Sequence, residues 1–384
     1  MIILLKGLEC YTPEYIGKKD ILISGGKIEK IQPEIHLNSE YVRVYDCGGL
    51  IALPGLIDQH VHILGGGGEE GFASRIAEID ADEILETGVT TLVGLLGADS
   101  CTRSLEALYA KANALEAAGI TTYLYSGAYS MPPVTFTGSI VRDLAFIDKV
   151  IGIGEIAVSD HRSSHCGLHE MLKMASDTHL GGLLGKKAGI LHLHMGSGKQ
   201  GLTPVLQMLE HSELPMEEFV PTHVNRDGEL FGQAVEYCKS GGRIDLTTGE
   251  TDGISVPDAV EQLIRSGCSL KNVTVSSDAN GSNPNGAVSR IHTLWEDILR
   301  CITYKKIDPE TAFSLVTQNV AKVLKLYPRK GALLEGSDAD ILVINRNYEM
   351  KKLFSSGKLL KEYENTGEKN ARKRLPYHYR RRGR

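Results

Sequence analysis

Pro54-Gly55-Leu56-Ile57-Asp58-Gln59-His60-Val61-His62 is the stretch from which the rest of the chain is read. It has the apolar content of a strand, and in a strand residues two apart point to one face. His60 and His62 therefore aim two imidazoles at one point, about 7 Å of chain or less apart, within reach of a single metal ion. Gly65-Gly66-Gly67-Gly68 follows, then Glu69 and Glu70. Four glycines let backbone N–H groups approach a ligand without interference from a Cβ atom. A chelating pair at a strand end that opens into a glycine loop is the wall of a site.

Outward from this stretch, the composition bounds the possibilities. The chain has 384 residues, ample for a sizeable core, and its 42% hydrophobic and 23% charged content is that of a soluble globular protein. No run of 18 apolar residues exists, so no membrane span is expected. Met1-Ile2-Ile3-Leu4-Leu5-Lys6 lacks the basic segment of a signal peptide and reads as a first strand. Seven scattered cysteines without a CxxC pair suit a reducing cytoplasm. The net charge of −6 conceals eight basic and no acidic residues between Lys369 and Arg384, leaving about −14 on the remainder. No nucleic-acid-binding motif accompanies that tail, which is read as a frayed or oligomer-contacting terminus.

The first fifty residues read as short strands and turns. Asp20 to Ile28 places apolar runs on either side of Gly25-Gly26, a hairpin signal, and Tyr41 to Tyr45 alternates. From Ile51 onward buried-strand runs alternate with helical patterns: Ala52 to His62, Thr90 to Gly97, Thr121 to Ser126, Val150 to Ser159, Gly189 to Met195, Phe219 to Val224, Arg243 to Thr247 and Asn272 to Ser277. Leu105 to Ala118, Gly228 to Lys239 and Val256 to Arg265 have helical spacing, and Thr311 to Tyr327 reads as one helix. Eight strands alternating with helices predict a (β/α)8 TIM barrel over residues 51–330. The apolar strand Ile341 to Ile344 resembles the opening of the chain, so residues 1–50 and 331–384 are expected to build one small β-sandwich domain.

In such a barrel the reacting groups come from the C-terminal ends of several strands. Those ends supply His60 and His62, Tyr129, Glu155, His194, His223 and Asp278. Four imidazoles and two carboxylates fit two divalent metal ions, Zn2+ first among them. His192 shares a face with His194, and spacing alone does not choose between them.

The order His-x-His, strand-four bridging group, His, His, Asp resembles the amidohydrolase superfamily, and more closely the isoaspartyl dipeptidases. The resemblance is carried by Gln59 to His62 with Gly65 to Gly68, Gly127-Ala128-Tyr129, Ser159-Asp160-His161-Arg162, Thr222 to Arg226 and Ser276 to Ser282. It implies a first metal on His60, His62 and Asp278 and a second on His194 and His223, which leaves His192 in a supporting place. The family usually bridges its metals with a carboxylated lysine; here Glu155 stands at that position, with no lysine between Val150 and Asp160. Ala98 stands where the family's substrate pocket tends to carry threonine. The resemblance further implies a metal-bridging hydroxide as nucleophile, Asp278 as proton carrier and Tyr129 as oxyanion donor. It implies Glu69 as the anchor of a substrate ammonium, with Arg162, Arg226, Ser282 and the Gly67 amide on carboxylates. His161, His165 and His169 are expected to be structural or solvated. The implied protein is a cytoplasmic homo-oligomer that cleaves small acidic dipeptides and binds neither nucleic acid nor membrane. The rivals are a hydrolase of cyclic amides, resembling dihydroorotases and hydantoinases, a catalytically silent barrel scaffold, and a protein that binds nucleic acid through its basic tail.

Overall fold

The computed structural model describes residues 2–250, 252–282 and 288–363. The basic tail between Lys369 and Arg384 lies outside them. The chain opens with β1 (Ile2–Tyr11), β2 (Tyr15–Ser24), β3 (Lys27–Gln32), β4 (Val42–Asp46) and β5 (Ile51–Pro54). Gly25 and Gly26 close the hairpin of β2 and β3, at the expected place. β1 runs antiparallel to β2 and parallel to both β4 and β5.

Gly55 ends β5, and the expected first barrel strand divides there. Ile51–Pro54 pairs antiparallel with Ile341–Ile344 of the far end of the chain, whereas His60 lies in the next strand and His62 just after it. The apolar run was continuous through Pro54, so pattern alone did not reveal the break. The barrel strands are β6 (Leu56–Val61), β7 (Val89–Gly94), β8 (Thr121–Ser126), β9 (Val150–Val158), β10 (Ile190–Met195), β11 (Phe219–Thr222), β12 (Ile244–Thr247) and β13 (Val273–Ser276). Every residue in them is buried except Thr121 and Tyr123, as parallel strands covered on both faces require. β6 to β11 form one parallel sheet, and β12 pairs with β13. Side chains and loops join the two pieces. Asn225 donates to Thr247 O and accepts from Thr247 N, and His62 N donates to Ala279 O at 2.9 Å.

The helices at Leu105–Ala117, Gly228–Lys239 and Val256–Arg265 fall where the spacing predicts. The predicted helix over Thr311 to Tyr327 is instead two, Pro309–Ser314 and Gln318–Val323, broken at Thr317, whose φ of −134° and ψ of −91° are not helical. The second piece packs Val320, Ala321 and Val323 against Tyr125, Ile190 and Val220. Ile190 shares a face with His192 and His194 by the two-residue alternation, so this apolar floor lies beneath the imidazoles.

The chain ends in β14 (Ile341–Ile344), β15 (Met350–Ser355) and β16 (Lys358–Glu362), which join β1 to β5 in one eight-stranded sheet. Its apolar cluster draws on both chain ends, with Ile3, Leu5 and Ile21 against Ile341, Val343 and Phe354.

Candidate active site

β6 brings His60 and His62 to the rim, and both rings are buried. Glu155 enters from β9 across a bulge. Leu191 pairs with Ile153 but Leu193 pairs with Ile156, so Gly154 and Glu155 together oppose His192. Such an insertion re-aims the side chain that follows. Gly154 permits the close approach, since a Cβ there would lie 2.8 Å from the Cβ of His192. His223 and Asp278 follow their strands in left-handed backbone, with φ of +60° and +52°. That conformation costs of order 1–3 kcal/mol in a residue other than glycine, and such costs gather at functional sites.

These turns converge on one point. Glu155 Oε2 lies 3.0 Å from His194 Nδ1, 3.4 Å from His223 Nε2 and 3.5 Å from His60 Nε2, while Oε1 lies 3.4 Å from His62 Nε2. Asp278 Oδ1 lies 3.0 Å from His62 Nε2 and 3.3 Å from His60 Nε2. Two trios of buried ligand atoms result, His60–His62–Glu155 and Glu155–His194–His223, sharing one carboxylate.

Whether these groups suit a cation is decided by what satisfies them. Despite those contacts, His60 Nε2 and Asp278 Oδ1 are buried without a well-aligned hydrogen bond among the described residues, an arrangement costly unless a ligand completes it. The far nitrogens are meanwhile tied back: His60 Nδ1 meets His192 Nε2 at 2.8 Å, and His223 Nδ1 meets Thr247 Oγ1 at 2.7 Å. Fixing the outer nitrogen presents the inner one to the centre, as in metal sites. The donor set of imidazole and carboxylate suits zinc or a similar divalent ion.

The electrostatics agree. Burial favours the neutral acid of Glu155, but the surrounding imidazoles, His60 and His194 foremost, hold it well below the carboxylate range. Asp278 is lowered against its own burial by His60 and His62. Burial depresses His62, yet Asp278 and Glu155 outweigh it and raise its pKa to about 8. Burial and the nearby Arg226 bring His223 down to about 3, a neutral imidazole. Burial and the neighbouring His60 likewise keep His192 neutral, stacked on Tyr125 at 4.9 Å.

The flanking groups sit above this centre. The Tyr129 hydroxyl lies 2.9 Å from His194 Nδ1, and burial raises its pKa well above the phenol range. Arg162 gives Nε and one terminal nitrogen to Asp160 at 2.9 and 2.8 Å. The fork expected to face a substrate is thus closed on one edge by Asp160, and NH1 is left, 3.4 Å from Glu69. Ser282 donates to the same Glu69 oxygen at 3.1 Å. Arg226 NH1 meets Met195 O and His194 Nε2 at 3.0 and 3.1 Å, while its buried Nε has no partner among the described residues. His161, His165 and His169 are exposed.

Three residues of this region carry no local sequence signal of their role. Asp160 was visible only as part of a motif, two positions before the arginine it holds. Thr247 lies 24 residues from His223, and Arg103 lies 37 residues from the glycine loop it touches. Only the barrel's closure makes these neighbours.

Known proteins resemble this chain at both levels. The structure overlays the β-aspartyl dipeptidase of the thermophilic keratin degrader Fervidobacterium islandicum AW-1 with a TM-score of 0.89 and 42% identity, covering 94% of this chain and 97% of that one. The same enzyme is known in complex with the dipeptide β-Asp-Leu. The L-hydantoinase of Paenarthrobacter aurescens is 23% identical over 94% of this chain and 89% of its own length. Residues 51–360, from the last strand before the histidine pair to the last strand of the terminal sheet, match the amidohydrolase family, and the chain belongs to that family.

Proposed function

We propose that the protein is a binuclear metallo-dipeptidase that hydrolyses the β-linked amide of isoaspartyl dipeptides. The observation that carries this reading is the pair of buried ligand trios sharing Glu155, with Glu69 and the two arginines around them. The 42% identical β-aspartyl dipeptidase supports the substrate class. His60, His62, Glu155 and Asp278 would hold one divalent ion, and Glu155, His194 and His223 the other, with zinc the best match to the donors. Such ions supply Lewis-acid polarisation of an amide carbonyl and a water acidic enough to ionise near neutral pH.

The chain's own groups do the rest. Asp278 accepts the proton of the attacking water at its carboxylate and returns it to the leaving amine nitrogen. The Tyr129 hydroxyl donates to the carbonyl oxygen as negative charge develops there. Glu69 receives the substrate's α-ammonium, displacing Arg162 NH1 and the Ser282 hydroxyl to which it is joined in this structure. The freed Arg162 NH1, Ser282 Oγ and the unpartnered Arg226 Nε take carboxylate oxygens. The Gly67 N–H, two residues before Glu69, receives the α-carboxylate, which shares a carbon with the ammonium. Peptides linked through the α-carboxyl lack this pairing of charges and bind poorly.

The terminal sheet is in this reading the small β-sandwich domain beside the catalytic barrel, and the enzyme a cytoplasmic homo-oligomer. All seven cysteines are free thiols, in keeping with a reducing compartment. No described helix is long and apolar enough to cross a membrane. The likeness to L-hydantoinase keeps cyclic-amide hydrolysis as the second reading. Turnover of β-Asp-Leu compared with dihydroorotate and a hydantoin decides between them, because a cyclic amide offers Glu69 no ammonium. Turnover of the cyclic amides alone would overturn the proposal.

A further inference from the structure

The loop Gly65–Gly68 is held in an unusual way. Arg103, 5% exposed, lies behind it and donates five hydrogen bonds. Nε reaches Leu64 O at 3.2 Å; one terminal nitrogen reaches Gly67 O at 3.3 Å and Asp99 Oδ2 at 2.8 Å; the other reaches Gly66 O at 2.8 Å and Ile76 O at 3.2 Å. A guanidinium has five N–H donors, so none remains for a substrate.

In a trans peptide the carbonyl and the following N–H point opposite ways. Three carbonyls turned back onto Arg103 therefore turn three amides away from it. Gly65 N–H is taken by His62 O at 2.7 Å, and Gly68 N–H by Ser74 Oγ at 3.2 Å. Gly66 N–H, of the intervening peptide, goes to Asn280 O at 2.7 Å. Gly67 N–H alone in this loop has no acceptor among the described residues. Glycine is required for this path: Gly67 has φ of +72°, and a Cβ there would lie 2.5 Å from Ser74 O.

We infer that Arg103 is a positioning residue, clamping the Leu64, Gly66 and Gly67 carbonyls so that the Gly67 N–H stands ready for the substrate's α-carboxylate. The inference rests on the dipeptidase reading for its ligand and adds a device that sets affinity from behind the loop. A lysine could keep the charge opposite Asp99 but not the planar fork that spans Leu64, Gly66, Gly67 and Ile76.

The test compares wild type, Arg103→Lys and Arg103→Gln as metal-loaded full-length proteins. Calorimetric titration uses two probes: L-aspartate, and L-isoasparagine, in which the α-carboxylate is an amide. Arg103→Lys is expected to weaken L-aspartate tenfold or more and L-isoasparagine less than threefold, at unchanged metal content. With β-Asp-Leu, KM should rise by a similar factor while kcat stays within threefold. Equal losses on both probes, or unchanged affinity for L-aspartate, would overturn the inference. Should Arg103→Gln fail to fold, Arg103→Lys still discriminates, since it keeps the buried charge. Hydrolysis of β-Asp-Leu by the wild type, measured alongside, tests the dipeptidase reading separately, because the probe titration needs no turnover.

Discussion

Replacing Glu155 with glutamine removes one charge and leaves the shape of the site nearly intact. The carboxylate is 1% exposed and lies 3.0–3.5 Å from four imidazole nitrogens, so both ligand trios lose their shared anion at once. Removing one partner of a buried, charge-paired cluster costs about 3–5 kcal/mol. At about 1.4 kcal/mol per factor of ten, metal binding should weaken by roughly a hundredfold to several thousandfold. The assay is metal content per chain after exhaustive dialysis, with circular dichroism as a control for folding. Wild type should keep two ions, Glu155→Gln fewer than one, and turnover should fall with them. Glu155→Asp keeps the charge but shortens the side chain by one carbon, about 1.5 Å, and should retain one ion. Because the carboxylate belongs to the side chain itself, depleting bicarbonate during reconstitution should leave wild-type activity unchanged. Two ions held by folded Glu155→Gln would refute the shared-carboxylate argument, and a bicarbonate requirement would show that a carboxylated lysine bridges instead.

Other outcomes follow from the same geometry. Asp278→Asn should lower kcat by about 10²–10⁴ in folded protein, the range for loss of a general acid–base group; measured single-turnover rates within tenfold of wild type would remove Asp278 as proton carrier. Tyr129→Phe should lower kcat by about 10²–10³ with KM little changed, as expected for a donor that acts on developing charge, and a rise in KM alone would assign it to binding. His192→Phe deletes the partner of His60 Nδ1 and should weaken metal affinity by about 10–100-fold, read by competition with a chromophoric chelator. Without metal His62 has a pKa of about 8, so at pH 7 it carries a proton that metal must displace. Metal uptake at pH 7 should release protons, and affinity should fall from pH 8 to pH 6; uptake without proton release would contradict the raised value.

The barrel was legible because its strands are nearly continuous apolar runs at regular intervals, separated by helical spacing. The buried histidines that meet around Glu155 were legible because a His-x-His pair and single histidines recur at the ends of successive barrel strands. What escaped was set by contacts distant in sequence. The break at Gly55 depends on Ile51–Pro54 finding Ile341–Ile344 at the other end of the chain. The break at Thr317 interrupts a helical pattern that is otherwise sound. How the short Glu155 reaches the imidazoles was open from sequence; the bulge opposite His192 aims it, and that depends on strand pairing. Arg162 showed its charge in the sequence but not that Asp160, two residues away, already occupies one edge of its fork.

Metal-dependent selectivity for the β-linkage is measured as the specificity of purified, metal-replete protein for β-Asp-Leu against α-Asp-Leu, before and after removal of metal by a chelator. The β-linked peptide should be hydrolysed rapidly and the α-linked one little, with activity lost to the chelator and restored by Zn2+. Equal cleavage of both peptides, or cleavage of β-Asp-Leu that survives complete loss of metal, would contradict the dipeptidase reading.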